Sequence, residues 1–341
     1  MAPGRIDSVN ETSVSQKPTV YLLDEFHPAA NEHAREIFDA VFPNDPRHKN
    51  WREQAEYLLI LGSYLTAEDV KSCPNLKAIG KQGVGKKTLM FDMTRMLTKT
   101  IGIDKIDAES CKERGIKIFN TPGVNAQAVA ETVLTLTMSV AREVGRITAI
   151  QSRGDVIPKS KCSGLIVSQK SIGIIGMGNI GQRVAKIFQG GLGCDIIAYD
   201  PFLPKDAWAD IPHQRAETIE DLLKASDVVT LHIPLIPQTR GLISYKELSI
   251  MKRNAIIINT ARGGIINEED LERGLKEGLI WGAGLDCHEQ EPPTKERYGG
   301  LWETGRVVST PHVGAATSQT QMETAMAAMD LLSNYIKAST A

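Results

Sequence analysis

The chain is short of aromatic residues, which make up 5% of its 341 positions, and it has no surplus of either charge. With 39 Lys plus Arg against 41 Asp plus Glu, it lacks the positive excess that non-specific binding to nucleic acid or anionic membrane requires. A small molecule is therefore the expected partner. Five cysteines (Cys73, Cys111, Cys162, Cys194 and Cys287) are scattered and form no C-x-x-C pair. That pattern excludes a disulfide framework, gives no zinc signature and fits reduced thiols in the cytosol, so no metal is expected. No run approaches the roughly 20 apolar residues needed to span a bilayer. Residues 1–18 lack the apolar core of a signal peptide and read as a loose tail, and Lys337 to Ala341 spell no recognised address. Cytoplasmic residence is the expectation.

What the chain does have is alternation. Short β-branched runs followed by helical patterns are the mark of parallel sheets with crossover helices, so the fold class is α/β. Expected strands are Val20–Leu23, Tyr57–Leu61, Leu76–Gly80 and Ile116–Phe119, then Ser171–Ile175, Asp195–Tyr199, Val228–Leu231, Ala255–Asn259, Gly282–Leu285 and Val307–Ser309. They fall into two groups, and the length suits two domains. Between the groups, Val129, Val133, Leu136, Val140 and Val144 recur at helical spacing, which predicts one long helix over Asn125–Arg146. A second helix closes the chain with Met322, Met326, Met329, Leu332 and Ile336 on one stripe, capped by Thr317 or Ser318.

In Ser171 to Ala185 a buried-strand run meets Gly176-x-Gly178-x-x-Gly181 and passes directly into a helix pattern. Gly176 permits the tight turn, Gly178 lets backbone approach a pyrophosphate, and Gly181 lets helix pack on strand. Asp200 ends the next strand, nineteen residues beyond Gly181, where a carboxylate can bind ribose hydroxyls. The residues that follow, Pro201, Phe202 and Leu203, bring no cation for a 2′-phosphate. NAD is expected rather than NADP.

Three further strand ends carry Asn259-Thr260-Ala261-Arg262-Gly263-Gly264, Asp286-Cys287-His288-Glu289-Gln290-Glu291-Pro292 and Thr310-Pro311-His312-Val313-Gly314. Residues beyond the carboxyl ends of parallel strands face the ligand crevice. With "TPGVNAQAVAE" (Thr121 to Glu131) and "HIPLIPQTRGLI" (His232 to Ile243), these motifs resemble, in order, those of the D-isomer-specific 2-hydroxyacid dehydrogenases over about Tyr57 to Ile336. The resemblance implies a flavodoxin-like substrate domain (19–124 and 316–341) into which a Rossmann domain (125–315) is inserted. It also implies hydride transfer between NADH and a small 2-oxo acid of hydroxypyruvate, glyoxylate or phosphoglycerate type, in a homodimer. Arg262 would grip the substrate carboxylate, His312 would act as acid and base, and Glu291 would orient the imidazole. Asp286 would meet the nicotinamide carboxamide. Thr260, Ala261, Asn179, Ile180, His232, Thr239 and Gly314 would line the cofactor, to which Arg262 and His312 are also close, and the amides at Val84 and Gly85 would help hold substrate. His288 and Cys287 read as packing residues.

The pattern breaks at Lys86 to Gly102, seventeen residues without counterpart that interrupt the substrate loop after Gly83-Val84-Gly85. Codons for Gly85-Lys86, Leu97-Thr98 and Ile101-Gly102 can spell intron signals, and splicing between the two Gly codons restores Gly85-Ile103 in frame. A retained intron is the preferred account, with a surface loop as the competitor. The break also creates a near P-loop, Gly80 to Lys87, which lacks the Ser or Thr that would hold Mg²⁺. A P-loop NTPase is disfavoured for that reason. An NAD-sensing, corepressor-like binding protein is disfavoured by the intact Arg262, Glu291 and His312. Glu291, where an amide is expected in formate dehydrogenases, weighs against that branch. Little chain follows the last helix, so the regulatory domain of some phosphoglycerate dehydrogenases is not expected.

Overall fold

In the computed structural model, which describes residues 17–83, 106–204 and 206–340, the aliphatic runs form two all-parallel sheets. The first holds β1 (Thr19–Leu22), β2 (Asp39–Val41), β3 (Tyr57–Ile60), β4 (Ala78–Lys81) and β5 (Lys117–Phe119), in the order β2-β1-β3-β4-β5. That is the flavodoxin-like order. The second holds β6 (Ser171–Ile175), β7 (Asp195–Tyr199), β8 (Gln214–Arg215), β9 (Val228–Leu231), β10 (Ile256–Asn259), β11 (Gly282–Leu285) and β12 (Val307–Ser309). Its order, β12-β11-β10-β9-β6-β7-β8, is the doubly wound Rossmann arrangement with one added edge strand. Strand order reverses between β6 and β9, which makes the crevice at their carboxyl ends the place for a ligand.

All ten expected strands are present, with ends moved by two residues at most. Strands β3, β9, β10 and β11 are buried along their whole length, which explains why they read as largely apolar runs, Thr230 and Asn259 excepted. Two short edge strands, β2 and β8, were not anticipated. The long helix over Asn125–Arg146 is corrected: the chain forms Ala126–Ala141 and then Val144–Ser152. Between them Glu143 takes a left-handed conformation (φ 55°). Its carboxylate accepts hydrogen bonds from Arg146 Nε at 3.0 Å and from the Ser163 amide at 3.1 Å, contacts that hold the break open.

Helix Ala126–Ala141 packs on β10, β11 and β12 and against helix Asn179–Leu192. Gly282 and Gly284 in β11 allow this approach, since a Cβ on either would lie 2.7–2.8 Å from Val140 or Leu136. The final helix, Ser318–Thr340, returns to the first sheet and packs on β4, β5 and helix Pro28–Ile37. Met329, Leu332 and Ile336 are buried there, and Thr317 Oγ1 caps the helix by accepting from the Thr320 amide at 3.1 Å. Gly80, the first glycine of the near P-loop, lies inside β4 under this helix, where a Cβ would meet Leu59 at 2.6 Å and the Ala328 carbonyl at 3.2 Å. It is a packing glycine in a strand. Among the described residues, no helix is long and apolar enough to cross a membrane. Val84, Gly85, the insertion 86–102 and residues 1–16 lie outside the described residues.

Candidate active site

The loop after β6 turns at Gly176 (φ 100°), where a Cβ would strike the His232 carbonyl oxygen at 2.4 Å. Gly178 is the N-cap of helix Asn179–Leu192 and makes no side-chain cap, while a Cβ there would meet nothing within 4 Å. An open approach to uncapped N–H groups at the positive end of a helix is an anion site. Gly181 sits where a Cβ would lie 2.3 Å from the Gly176 carbonyl oxygen, so helix and loop are in contact. Asn179 and Ile180 form the first turn, and the Asn179 side chain lies against Gly123, bringing the Thr121-Pro122-Gly123 turn to the rim.

Asp200 follows the end of β7, its carboxylate accepting from the amides of Met177 at 3.1 Å and Phe202 at 3.0 Å. The nearby Arg215 guanidinium donates to the carbonyls of Asp200, Leu203 and Pro204, so it is committed to backbone rather than turned toward a phosphate.

His232 shares a hydrogen bond of 3.0 Å between its Nε2 and Thr230 Oγ1, and burial pushes its pKa down to about 3, leaving it neutral. Thr239 Oγ1 donates to the Pro234 carbonyl at 2.6 Å and accepts from the Ile236 amide at 2.9 Å, which ties the hydroxyl to its own turn. His232 Nδ1 and Thr260 Oγ1 are buried without a hydrogen-bond partner. Two such atoms near an uncapped helix end and a strand-end acid fit a polar dinucleotide.

The ends of β10, β11 and β12 carry the remaining groups. Asn259, buried, folds the turn that presents Arg262: its Nδ2 donates to the Arg262 carbonyl at 2.8 Å and its Oδ1 accepts from the Ala261 amide at 3.1 Å. Gly263 abuts the next loop so closely that a Cβ would lie 2.0 Å from the His288 carbonyl. Asp286 sits buried beneath the His312 turn, accepting from Thr310 Oγ1 at 2.6 Å and from the amides of Val313 and Gly314 at 2.8 Å each. The His312 amide donates to the Asp286 carbonyl at 2.8 Å. This clamp holds His312 in a left-handed conformation, φ 59°, that non-glycine residues seldom adopt.

The imidazole Nδ1 lies 2.9 Å and 3.1 Å from the two carboxylate oxygens of Glu291, and both side chains are partly exposed. Contact with the Cys287 thiol and the hydrogen bond to Glu291 raise the His312 pKa to about 10 against the cost of burial. Burial pushes the Cys287 thiol up as well. Glu291 supplies a full negative charge beside the ring. Burial acts against the Glu291 carboxylate, but His312 and the His288 amide outweigh it and hold the group below its usual range. The positive charge of Arg262 also acts on the Cys287 thiol, favouring its ionised form. His288 packs on Tyr298 and pairs with Ser309 Oγ at 2.8 Å. The supporting roles of Asn259 and Cys287 were missed in the sequence, where neither residue type nor spacing signals them.

The family model described as "D-isomer specific 2-hydroxyacid dehydrogenase, NAD binding domain" matches residues 134–314. The chain is 39% identical over 317 residues to the glyoxylate reductase of Thermococcus litoralis, covering 89% of each. It is 36% identical over 260 residues to the D-3-phosphoglycerate dehydrogenase of Methanocaldococcus jannaschii, covering 76% of this chain and 45% of that one. The chain thus spans about half the length of that relative. Its fold superposes on the crystal structure of the TT0316 protein from Thermus thermophilus with a TM-score of 0.77 and 30% identity, covering 92% and 95% of the two chains. With more than half of its length matched by the family model and a near full-length relative, the chain belongs to the D-isomer-specific 2-hydroxyacid dehydrogenases.

Proposed function

We propose that the protein is an oxidoreductase that interconverts a small 2-oxo acid and its D-2-hydroxy acid with NADH. The observation that carries this reading is the hydrogen-bonded Glu291–His312 pair at the strand ends, 2.9 Å apart. It shares its surroundings with Arg262, in the same sheet as the uncapped helix end. Bound NADH would supply the hydride. Gly176, Gly178, Gly181, Asn179 and Ile180 would hold its pyrophosphate through backbone, and Asp200 its ribose hydroxyls. Thr260 Oγ1 and His232 Nδ1 are available as buried hydrogen-bonding atoms, and Ala261 and Gly314 would border the nicotinamide. Asp286 would reach the carboxamide with the acceptor capacity left beside its three donors. Thr239 would contribute by shaping its turn.

Arg262 would bind the substrate carboxylate with two parallel N–H donors. His312, protonated on both nitrogens, would keep Nδ1 on Glu291 and donate from Nε2 to the carbonyl oxygen as it gains charge. In the reverse direction the same nitrogen takes the hydroxyl proton. Val84 and Gly85 are retained as substrate-binding residues on the family pattern. The substrate domain would comprise 19–124 and 316–341 and the nucleotide domain 125–315, a division favoured by the return of the last helix to the first sheet. Exposed Val144, Val156 and Ile166, all beyond the helix break, support a homodimer through this region. The balanced charge favours small-molecule rather than nucleic-acid partners, and the five free cysteines favour a cytoplasmic protein.

The direct test is an NADH-oxidation screen over hydroxypyruvate, glyoxylate, 3-phosphohydroxypyruvate and longer 2-oxo acids, run with and without residues 86–102. Oxidation with NADH and little with NADPH is expected. Failure of every acid with both forms would overturn the assignment. The His312 pKa gives a second test. Glu291→Gln removes one of the two contacts that raise it and leaves the other, to Cys287, in place, so the pKa should fall part of the way toward the ordinary value of about 6.5. Reduction needs the protonated imidazole, and its rate declines as pH rises through that pKa. The declining limb of kcat/KM should therefore begin about 1 to 3 pH units lower in the variant. An unmoved limb would remove Glu291 from its role.

A further inference from the structure

Beyond the dehydrogenase reaction, the described residues hold one cluster with the donor set of a metal site. Cys287 Sγ, a Glu291 carboxylate oxygen and a His312 ring nitrogen all lie within 4.8 Å of one another. From these positions we propose that Cys287, Glu291 and His312 form an inhibitory site for a borderline-soft divalent cation such as Zn²⁺.

The geometry comes close to what such an ion needs. Zinc takes thiolate at ~2.3 Å and imidazole or carboxylate at ~2.0–2.2 Å, so tetrahedral ligands stand roughly 3.4–3.7 Å apart. His312 Nδ1 and the Glu291 oxygens, 2.9 Å and 3.1 Å apart, must open slightly to share an ion, while Cys287 Sγ lies within 4.8 Å of both donor groups. Glu291 and His312 are open to solvent on one side while Cys287 is buried, so an ion entering from the cleft meets the two exposed ligands first and the sulfur behind them. Three protein ligands leave a fourth position for water or for a carboxylate of the substrate. The mixture of sulfur, nitrogen and oxygen favours Zn²⁺ or Co²⁺ and discriminates against Mg²⁺ and Ca²⁺, which take oxygen donors.

Binding releases the thiol proton and the proton of the imidazolium, and it occupies the groups that transfer the proton in catalysis. Inhibition thus follows from coordination alone, without a second binding surface. The positive charge of Arg262 opposes the cation, which limits the affinity but is offset by the Glu291 carboxylate and the thiolate formed on binding. That this occupancy blocks turnover rests on the proposed dehydrogenase reading. The existence of the site does not.

Titration of the full chain with Co²⁺ reads the site directly, because a cysteine ligand produces a thiolate-to-cobalt charge-transfer absorption in the near ultraviolet. The band is expected in the wild type and should disappear on addition of excess Zn²⁺. It should be lost in Cys287→Ser and in Cys287→Ala and kept in Cys162→Ala, which removes the one cysteine that is not buried. In the NADH-oxidation assay, micromolar Zn²⁺ should inhibit the wild type reversibly, with full recovery on chelation, and should be at least tenfold less effective on whichever Cys287 variant retains turnover. Mg²⁺ at the same concentration should have no effect. Absence of the cobalt band in the wild type, or its persistence in both Cys287 variants, overturns the metal site. Lack of 2-oxo acid reduction by metal-free wild type while the band is present overturns the proposed activity instead.

Discussion

His312→Ala should lower kcat for 2-oxo acid reduction by about 100-fold to 10,000-fold, the range for loss of a positioned general acid. The expectation rests on how much of the chain is given to this one ring. Asp286 and Thr310 set its backbone in the left-handed region, and Glu291 takes its Nδ1. Raised to about 10, its pKa keeps it protonated throughout the neutral range, so the wild type has a donor ready before substrate arrives. The alanine variant leaves Glu291 bonded to the His288 amide at 3.2 Å and the dinucleotide loop untouched. NADH affinity, read from quenching of protein fluorescence, should change far less than turnover. The small residual rate should also lose its decline at high pH. Wild-type turnover by His312→Ala would refute the assignment.

Arg262→Ala should reduce kcat/KM for the 2-oxo acid by roughly 100-fold to 1,000-fold, as expected for loss of two charge-assisted hydrogen bonds worth about 1.5–3 kcal/mol each that do not add fully. Most of the loss should appear in KM, because the carboxylate is bound in substrate and transition state alike. Arg262→Lys keeps the charge but cannot present a planar fork, and it should recover only part of the deficit. The turn that presents Arg262 is fixed by Asn259 through the Ala261 amide and the Arg262 carbonyl. Neither contact involves the arginine side chain, whose Nη1 donates to the adjacent Ala261 carbonyl at 2.7 Å, so both variants should keep the turn that Asn259 fixes, which circular dichroism and thermal melting check. Equal KM values in wild type and alanine variant would move the carboxylate site elsewhere.

These effects can be assigned to particular residues because much of the site was legible in the chain. Strands buried on both faces leave continuous aliphatic runs, so β6, β9, β10 and β11 stood out, and the polar residues that interrupt those runs mark the crevice. Arg262, Asp286, Glu291 and His312 stand out in that way, and the roles expected of them come from the family resemblance. The break at Glu143 was not, since the apolar spacing of the helix runs through Val144, and only the tertiary contacts of Glu143 with Arg146 and Ser163 decide the backbone there. Strands β2 and β8 are edge segments of three and two residues, too short to show a period. Cys287 is the sharper lesson. It reads in the sequence as a packing residue, and it is buried, but the turn from Asp286 to Glu291 also brings its sulfur near the His312 imidazole, a proximity that linear spacing does not encode.

The return of helix Ser318–Thr340 to the first sheet has a bearing on how the protein is made. Val20, Leu22 and Leu59 share a core with Ala325, Met329 and Leu332, so β1 and β3 are covered by a helix synthesised long after them. At translation rates of about 5–20 residues per second, the three hundred or so residues between Leu22 and Ala325 correspond to a delay of roughly 15–60 s. Residues 126–309, by contrast, contain every strand of the second sheet and the helix Ala126–Ala141 that packs on it. The nucleotide sheet can assemble while the chain is still growing. The first sheet must wait with one face covered only in part, by helix Pro28–Ile37, so loss of helix Ser318–Thr340 would leave Val20, Leu22 and Leu59 without the rest of their core.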